Sequence, residues 1–159
     1  MQEKNKKKNS NTYISHNINE TEEFAISLAK KSNPKDIFCL EGDLGVGKTV
    51  IAKSFGKFFN LDENITSPTF NILKTYNIKN NKINRIHHFD LYRIKNIDEL
   101  YNIGFEDYIN DDNAIILIEW PEVCKNLLPK KYKKIKIEKM FKDNIILENE
   151  RKIEYEEIS

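Results

Sequence analysis

Residues 37–59, IFCLEGDLGVGKTVIAKSFGKFF, run from a short apolar stretch through a glycine-rich loop into a segment of helical apolar spacing. Within it Gly42 to Thr49, GDLGVGKT, form a complete G-x-x-x-x-G-K-[ST] phosphate-binding loop that holds three of the chain's five glycines. Glycine lacks a Cβ and tolerates positive φ, so successive backbone N–H groups can turn inward around phosphate oxygens. Gly42, Asp43, Leu44, Gly45, Val46 and Gly47 would supply that backbone cradle. Lys48 would reach the β and γ phosphates as a point charge, and Thr49 would offer its hydroxyl to Mg2+ from the first turn of a helix. With this chain's own residue frequencies a chance match is expected only roughly two times in a thousand. The required order of strand, loop and helix is also met.

Length and composition limit what surrounds the loop. At 159 residues the chain suits one domain, and the reading is an α/β, three-layer P-loop NTPase-like fold with a central sheet that is mostly parallel or mixed. Residues 1–12, MQEKNKKKNSNT, read as a flexible basic tail, and residues 13–159 as the single domain. The 26 basic and 25 acidic residues leave a net charge of +1, so bulk charge neither demands nor excludes a nucleic acid partner. Lysine outnumbers arginine 23 to 3, a bias that makes lysine runs weak evidence of function. Cys39 and Cys124 lie far apart and form no metal-binding or disulfide pattern. No stretch approaches a membrane span, so cytoplasm is the expected location.

Along the chain, Asn19 with Glu22 resembles a capping box opening a helix that ends near Ser32–Asn33–Pro34. After the helix through Phe59, the turn containing Thr66–Ser67–Pro68–Thr69 precedes a β-hairpin whose second strand ends at Asp90. Ile97 to Ile103 read as a short helix closed by Gly104. AIILIEW, residues 114–120, is a buried strand followed by a helix opened by Pro121. Beyond it, Lys134, Lys136 and Glu138 alternate with Ile135 and Ile137, and a further strand is expected near residues 144–147.

A magnesium nucleotide site needs an acid at the carboxyl end of a core strand, and two qualify, Glu119 and Asp90. Either could hold the metal or orient the attacking water. His88 shares the face of Asp90, and one such pair is too few ligands for zinc, so a hydrogen-bonded histidine is expected. Trp120 adjoins Glu119 as either a neighbour of the nucleotide or core, and Arg93 is either a phosphate contact or a structural ion pair.

Five motifs, GDLGVGKT at 42–49, SPTF at 67–70, HFDLYR at 88–93, IGFEDY at 103–108 and LIEWPE at 117–122, together resemble the TsaE (YjeE) family of P-loop ATPases in tRNA threonylcarbamoyladenosine biosynthesis. The resemblance implies that Thr49 and Glu119 coordinate Mg2+, that Lys48 binds phosphate of ATP, and that Asp90 is needed for hydrolysis. It further implies a switch-like loop at Ser67–Pro68–Thr69, with Thr69 and Trp120 beside the nucleotide, and help with adenine from Asn19 to Thr21. Such a protein is an accessory ATPase to the TsaB and TsaD proteins, with tRNA associated indirectly through that complex. Val50 departs from the family, which usually has a second threonine there. The alternative is a small-molecule or nucleotide P-loop kinase, which normally brings several arginines to the phosphates. A GTPase lacks support, because Asn81–Lys82–Ile83–Asn84 does not complete the guanine-reading motif N-K-x-D.

Overall fold

Ala114–Glu119 form a strand in which all six residues are buried, and the rest of the molecule is arranged around it. In the computed structural model, which describes residues 10–68 and 70–159, seven strands make one mixed sheet. They are β1 (Ser10–Ser15), β2 (Ile37–Glu41), β3 (Leu73–Asn77), β4 (Arg85–Asp90), β5 (Ala114–Glu119), β6 (Tyr132–Lys142) and β7 (Ile145–Ile158). Their order across the sheet is β1-β7-β6-β2-β5-β4-β3. The four inner strands β6, β2, β5 and β4 run parallel, while β3 and the β7–β1 side add antiparallel edges. Strands covered on both faces read as near-continuous apolar runs, and β2 and β5 do so up to their last residues, Glu41 and Glu119.

Helices cover both faces, giving the expected three layers. α1 (Ile18–Lys30) and α2 (Lys48–Phe58) pack on one face, where Ala25, Ala29, Ile51 and Phe55 meet Phe38, Leu40, Leu117 and Ile135. The small residues of α1 let it approach closely, and Phe55 sets its ring edge-on to Phe38 at 4.9 Å. On the other face α3 (Ile97–Asn102), α4 (Phe105–Ile109) and a 3-10 helix (Pro121–Leu127) bury Leu100, Phe105, Ile109 and Cys124 against Cys39, Phe89, Ile116 and Ile118. Cys39 and Cys124 are buried free thiols. Among the described residues no helix is long and apolar enough to cross a membrane.

Several boundaries differ from the sequence expectation. Ser10 to Thr12, assigned to the tail, are paired strand, because β1 lies along Glu154–Glu156 of β7; residues 1–9 lie outside the described residues. The capping box is Asn17 with Glu20 and not Asn19 with Glu22: Asn17 Oδ1 accepts from Glu20 N at 3.0 Å, and Glu20 Oε2 accepts from His16 N at 2.8 Å. α4 follows the turn at Gly104, and β7 is a 14-residue strand instead of a short one. It pairs with both β6 and β1, and Lys134, Lys136 and Glu138 on β6 stand opposite Glu156, Glu154 and Lys152 on β7. The lysines of β6 are therefore largely the solvated face of a strand facing acidic partners.

At the end of the sheet away from the phosphate loop, Arg85 grips Asp111 through Nε and Nη2 at 2.7 and 2.9 Å. His87 Nε2 lies 2.8 Å from Asp111 Oδ2, and its Nδ1 is 2.8 Å from Thr75 Oγ1. The Arg85 guanidinium holds the Asp111 carboxyl well below the usual range, and burial pulls His87 below its ordinary value of 6.5 against the opposing effect of Asp111. Both depressed values mean stability that is full above the ordinary pKa and lost as pH falls. Melting temperature should therefore drop first below about pH 6.5, through His87, and again below about pH 4, through Asp111. Asp111→Asn should lower it at neutral pH by roughly 5 °C and remove the second stage. Thermal unfolding followed across pH checks both, and an unchanged profile would remove this network from the stability of the fold.

Candidate functional site

The loop leaves the carboxyl end of β2 at Glu41 and enters α2 at Lys48. Gly42 has φ 145, and a Cβ there would fall against the Ile137 carbonyl and 2.8 Å from Val46 Cγ1, so no side chain fits. Gly47 caps α2 with φ 121. The Val46 side chain is buried in the core and anchors the loop from beneath. Lys48 is only 5% exposed; its Nζ donates to the carbonyls of Gly42 at 2.6 Å and Asp43 at 2.8 Å, and lies 4.2 Å from the Trp120 ring centroid. Burial pulls its pKa down, opposed by the negative charges of Glu119 and Asp90.

Two parallel strands bring the acids together. Asp90 ends β4 and Glu119 ends β5, and the register sets them side by side. Glu119 is 3% exposed and has partners from two other elements: Thr49 Oγ1 of α2 donates to Oε1 at 3.3 Å, and His88 Nε2 of β4 lies 2.9 Å from the same oxygen. Asp90 accepts from Ser67 Oγ at 2.6 Å and from Tyr92 N at 3.1 Å. The loop before β3 thus reaches the site through Ser67, while Thr69, expected beside the nucleotide, lies outside the described residues. Trp120 adopts φ 58, a left-handed conformation uncommon for a bulky residue, which turns the chain sharply after Glu119 and sets its ring 4.9 Å from that of Tyr92.

A cleft of about 380 Å3 lies between these parts. Leu44, Gly45, Gly47, Lys48, Thr49 and Val50 line one side, and Ser67, Asp90, Tyr92, Arg93, Glu119 and Trp120 the other. Gly42 and Asp43 stay outside it, with their carbonyls engaged by Lys48. Asn19 to Thr21 are not among the lining residues, and the Thr21 hydroxyl is 2.7 Å from that of Ser15. Of the three arginines only Arg93 lines the cleft, and it sits over the exposed Phe70 ring at 4.8 Å. Alternation along β4 put His88 on the Asp90 face, but its partner across the sheet, Glu119, carried no signal in sequence. Nor did the contribution of Tyr92.

Hydroxyl and carboxylate oxygen are the donors Mg2+ prefers, and one or two of them suffice when phosphates and water complete the shell, so Thr49 and Glu119 fit that ion. Among the described residues no group of three or more His, Cys, Asp and Glu side chains could hold a metal by itself. The acids sit where the carboxyl ends of parallel strands open into a crevice, beside a helix N-terminus suited to anions.

The family profile described as "Threonylcarbamoyl adenosine biosynthesis protein TsaE" matches residues 15–152. A tRNA threonylcarbamoyladenosine biosynthesis protein TsaE from Rickettsia felis is 46% identical over 116 residues, covering 72% of this chain and 65% of that protein. Its namesake from Bacillus subtilis is 33% identical over 123 residues, covering 77% of this chain and 74% of that protein. The crystal structure of Bacillus subtilis YdiB superposes with a TM-score of 0.70 at 28% identity, covering 96% of this chain and 88% of that one. A loop, two strand-end acids and a fold of this kind, matched over most of the chain, lead to one conclusion: the chain belongs to the TsaE family.

Proposed function

We propose that this protein is a Mg2+-dependent ATPase that serves the formation of threonylcarbamoyladenosine in tRNA, as a cytoplasmic accessory subunit to the TsaB and TsaD proteins. The observation that carries the reading is the 3.3 Å hydrogen bond from Thr49 to Glu119, with Asp90 beside it in register: a hydroxyl and two carboxylates converge at the mouth of a phosphate loop. The names of the relatives supply the pathway, and the site supplies the chemistry.

Backbone N–H groups of the loop and the N-terminus of α2 would hold the phosphates, with Lys48 exchanging its two loop carbonyls for phosphate oxygens. Phosphate charge would raise the Lys48 pKa, reversing the effect of burial. Thr49 and Glu119 would hold Mg2+, whose positive charge would offset that of the phosphates. His88, bonded to the same Glu119 oxygen as Thr49, would hold that carboxylate in its orientation. Asp90, anchored by Ser67 and the Tyr92 amide, would orient the attacking water, and Ser67 would carry changes at that carboxylate into its loop. Trp120 would flank the phosphates. With Arg93 as the sole arginine in the cleft, the cluster of phosphate-gripping arginines expected of a small-molecule kinase is missing among the described residues.

The purified protein, alone and with TsaB and TsaD, should hydrolyse ATP only when Mg2+ is present. Lys48→Ala should weaken ATP binding about tenfold or more. Asp90→Asn should cut hydrolysis by roughly 100-fold while changing ATP affinity less than about threefold. Equal loss of binding in both variants would sink this division of roles, and phosphate delivered to a small acceptor instead of water would replace the ATPase with the kinase. Gly42→Ala should weaken ATP binding at least as much as Lys48→Ala and also lower the melting temperature, because the added Cβ displaces the loop from β6.

A further inference from the structure

β7 departs from regular pairing beside the phosphate loop. Lys139 of β6 faces Arg151, yet the next residue, Met140, faces Leu147, so Glu148, Asn149 and Glu150 are left out of the ladder as a bulge. Arg151 closes this bulge. Its Nη1 donates to the carbonyls of Glu148 and Glu150, each at 2.8 Å, and its Nε donates to the carbonyl of Val46, in the phosphate loop, at 2.7 Å. These bonds link the last strand, about a hundred residues away in sequence, to the peptide between Val46 and Gly47.

That peptide leads into Gly47, the residue that caps α2. A trans peptide directs its carbonyl and its N–H to opposite sides, so holding the Val46 oxygen toward β7 turns the Gly47 N–H the other way, and Gly47 lines the cleft. Gly47 adopts φ 121, its carbonyl is held by the Val50 and Ile51 amides, and the place a Cβ would occupy is empty, so no side chain of its own resists a turn of the peptide before it. A bond from a charged donor to the carbonyl is the restraint. We propose that Arg151 is a positioning residue that locks the Val46–Gly47 peptide, keeping the Gly47 N–H presented to a bound phosphate. The role rests on the reading of the cleft as an ATP site. A lysine has one nitrogen and no fork, and it would not hold the bulge and the loop together.

The experiment compares the full chain with Arg151→Ala and Arg151→Lys by amide NMR without ligand and by calorimetric titration with ATP and Mg2+. In the parent, Gly47 should give one sharp amide resonance. In Arg151→Ala that resonance should broaden or split, while those of Gly56 and Gly104 stay in place as evidence of an intact fold, and the ATP dissociation constant should rise about tenfold. Arg151→Lys should fall between the two and serves as the test if the alanine variant does not fold. An unaltered Gly47 resonance with unaltered ATP affinity, in a folded variant, overturns the proposal. If the parent itself binds no ATP, the functional reading fails, and the lock is then decided by the Gly47 resonance alone.

Discussion

A carboxylate buried at the end of the central strand is the constraint on which this molecule turns. Glu119 closes a strand of five buried apolar residues, and a charge in such a position is costly unless other groups satisfy it. Its partners come from elsewhere in the sheet and from the helix opposite: His88 from β4 and Thr49 from α2. Satisfying one acid therefore ties the register of β4 against β5 to the approach of α2 to both. The same demand brings the first turn of α2, where the phosphate loop ends, within reach of the strand-end acids. Stability and the geometry of the site are here one requirement.

Lys48 shows the other half of that arrangement. An ammonium buried at 5% exposure needs acceptors, and it takes them from the loop's own carbonyls of Gly42 and Asp43. These are neutral acceptors, weaker partners for a cation than phosphate oxygens would be. The two acids help keep the amine charged while burial works against it. The Lys48 ammonium is thus satisfied within the loop by bonds that a phosphate can exchange for stronger ones, so binding need not leave it orphaned.

How much of this was legible in sequence depended on where the controlling interaction lay. The run from Ile37 through Phe59 was readable because strand, loop and helix are adjacent and each has its own local pattern. β5 was readable as six buried residues in a row, and the β3–β4 hairpin by its turn. β1 was not: SNTYIS is polar and mostly exposed, and it is a strand because β7, far along the chain, offers it an edge. α4, at five residues, is too short to display a helical period. The capping box was displaced by two residues because Asn17–Glu20 and Asn19–Glu22 offer the same spacing, and only burial of Thr21, Ala25 and Ala29 selects between them. His88 was assigned to the right face with no means of naming its partner, since the bond to Glu119 depends on strand register.

Arginine usage adds a physical argument that composition alone conceals. With 23 lysines and 3 arginines, the chain uses lysine wherever a solvated charge will serve, as along β6. Each of the arginines performs a task that a point charge performs poorly. Arg85 makes two parallel bonds to the Asp111 carboxylate. Arg93 lays its planar guanidinium over the Phe70 ring. Arg151 divides its donors among three carbonyls, two in the β7 bulge and one in the phosphate loop. The reverse holds at Lys48, where a compact ammonium fits between two converging carbonyls that a guanidinium fork would overfill. In a chain so biased toward lysine, the positions that keep arginine mark where the geometry of the donor, and not its charge, is what the structure needs.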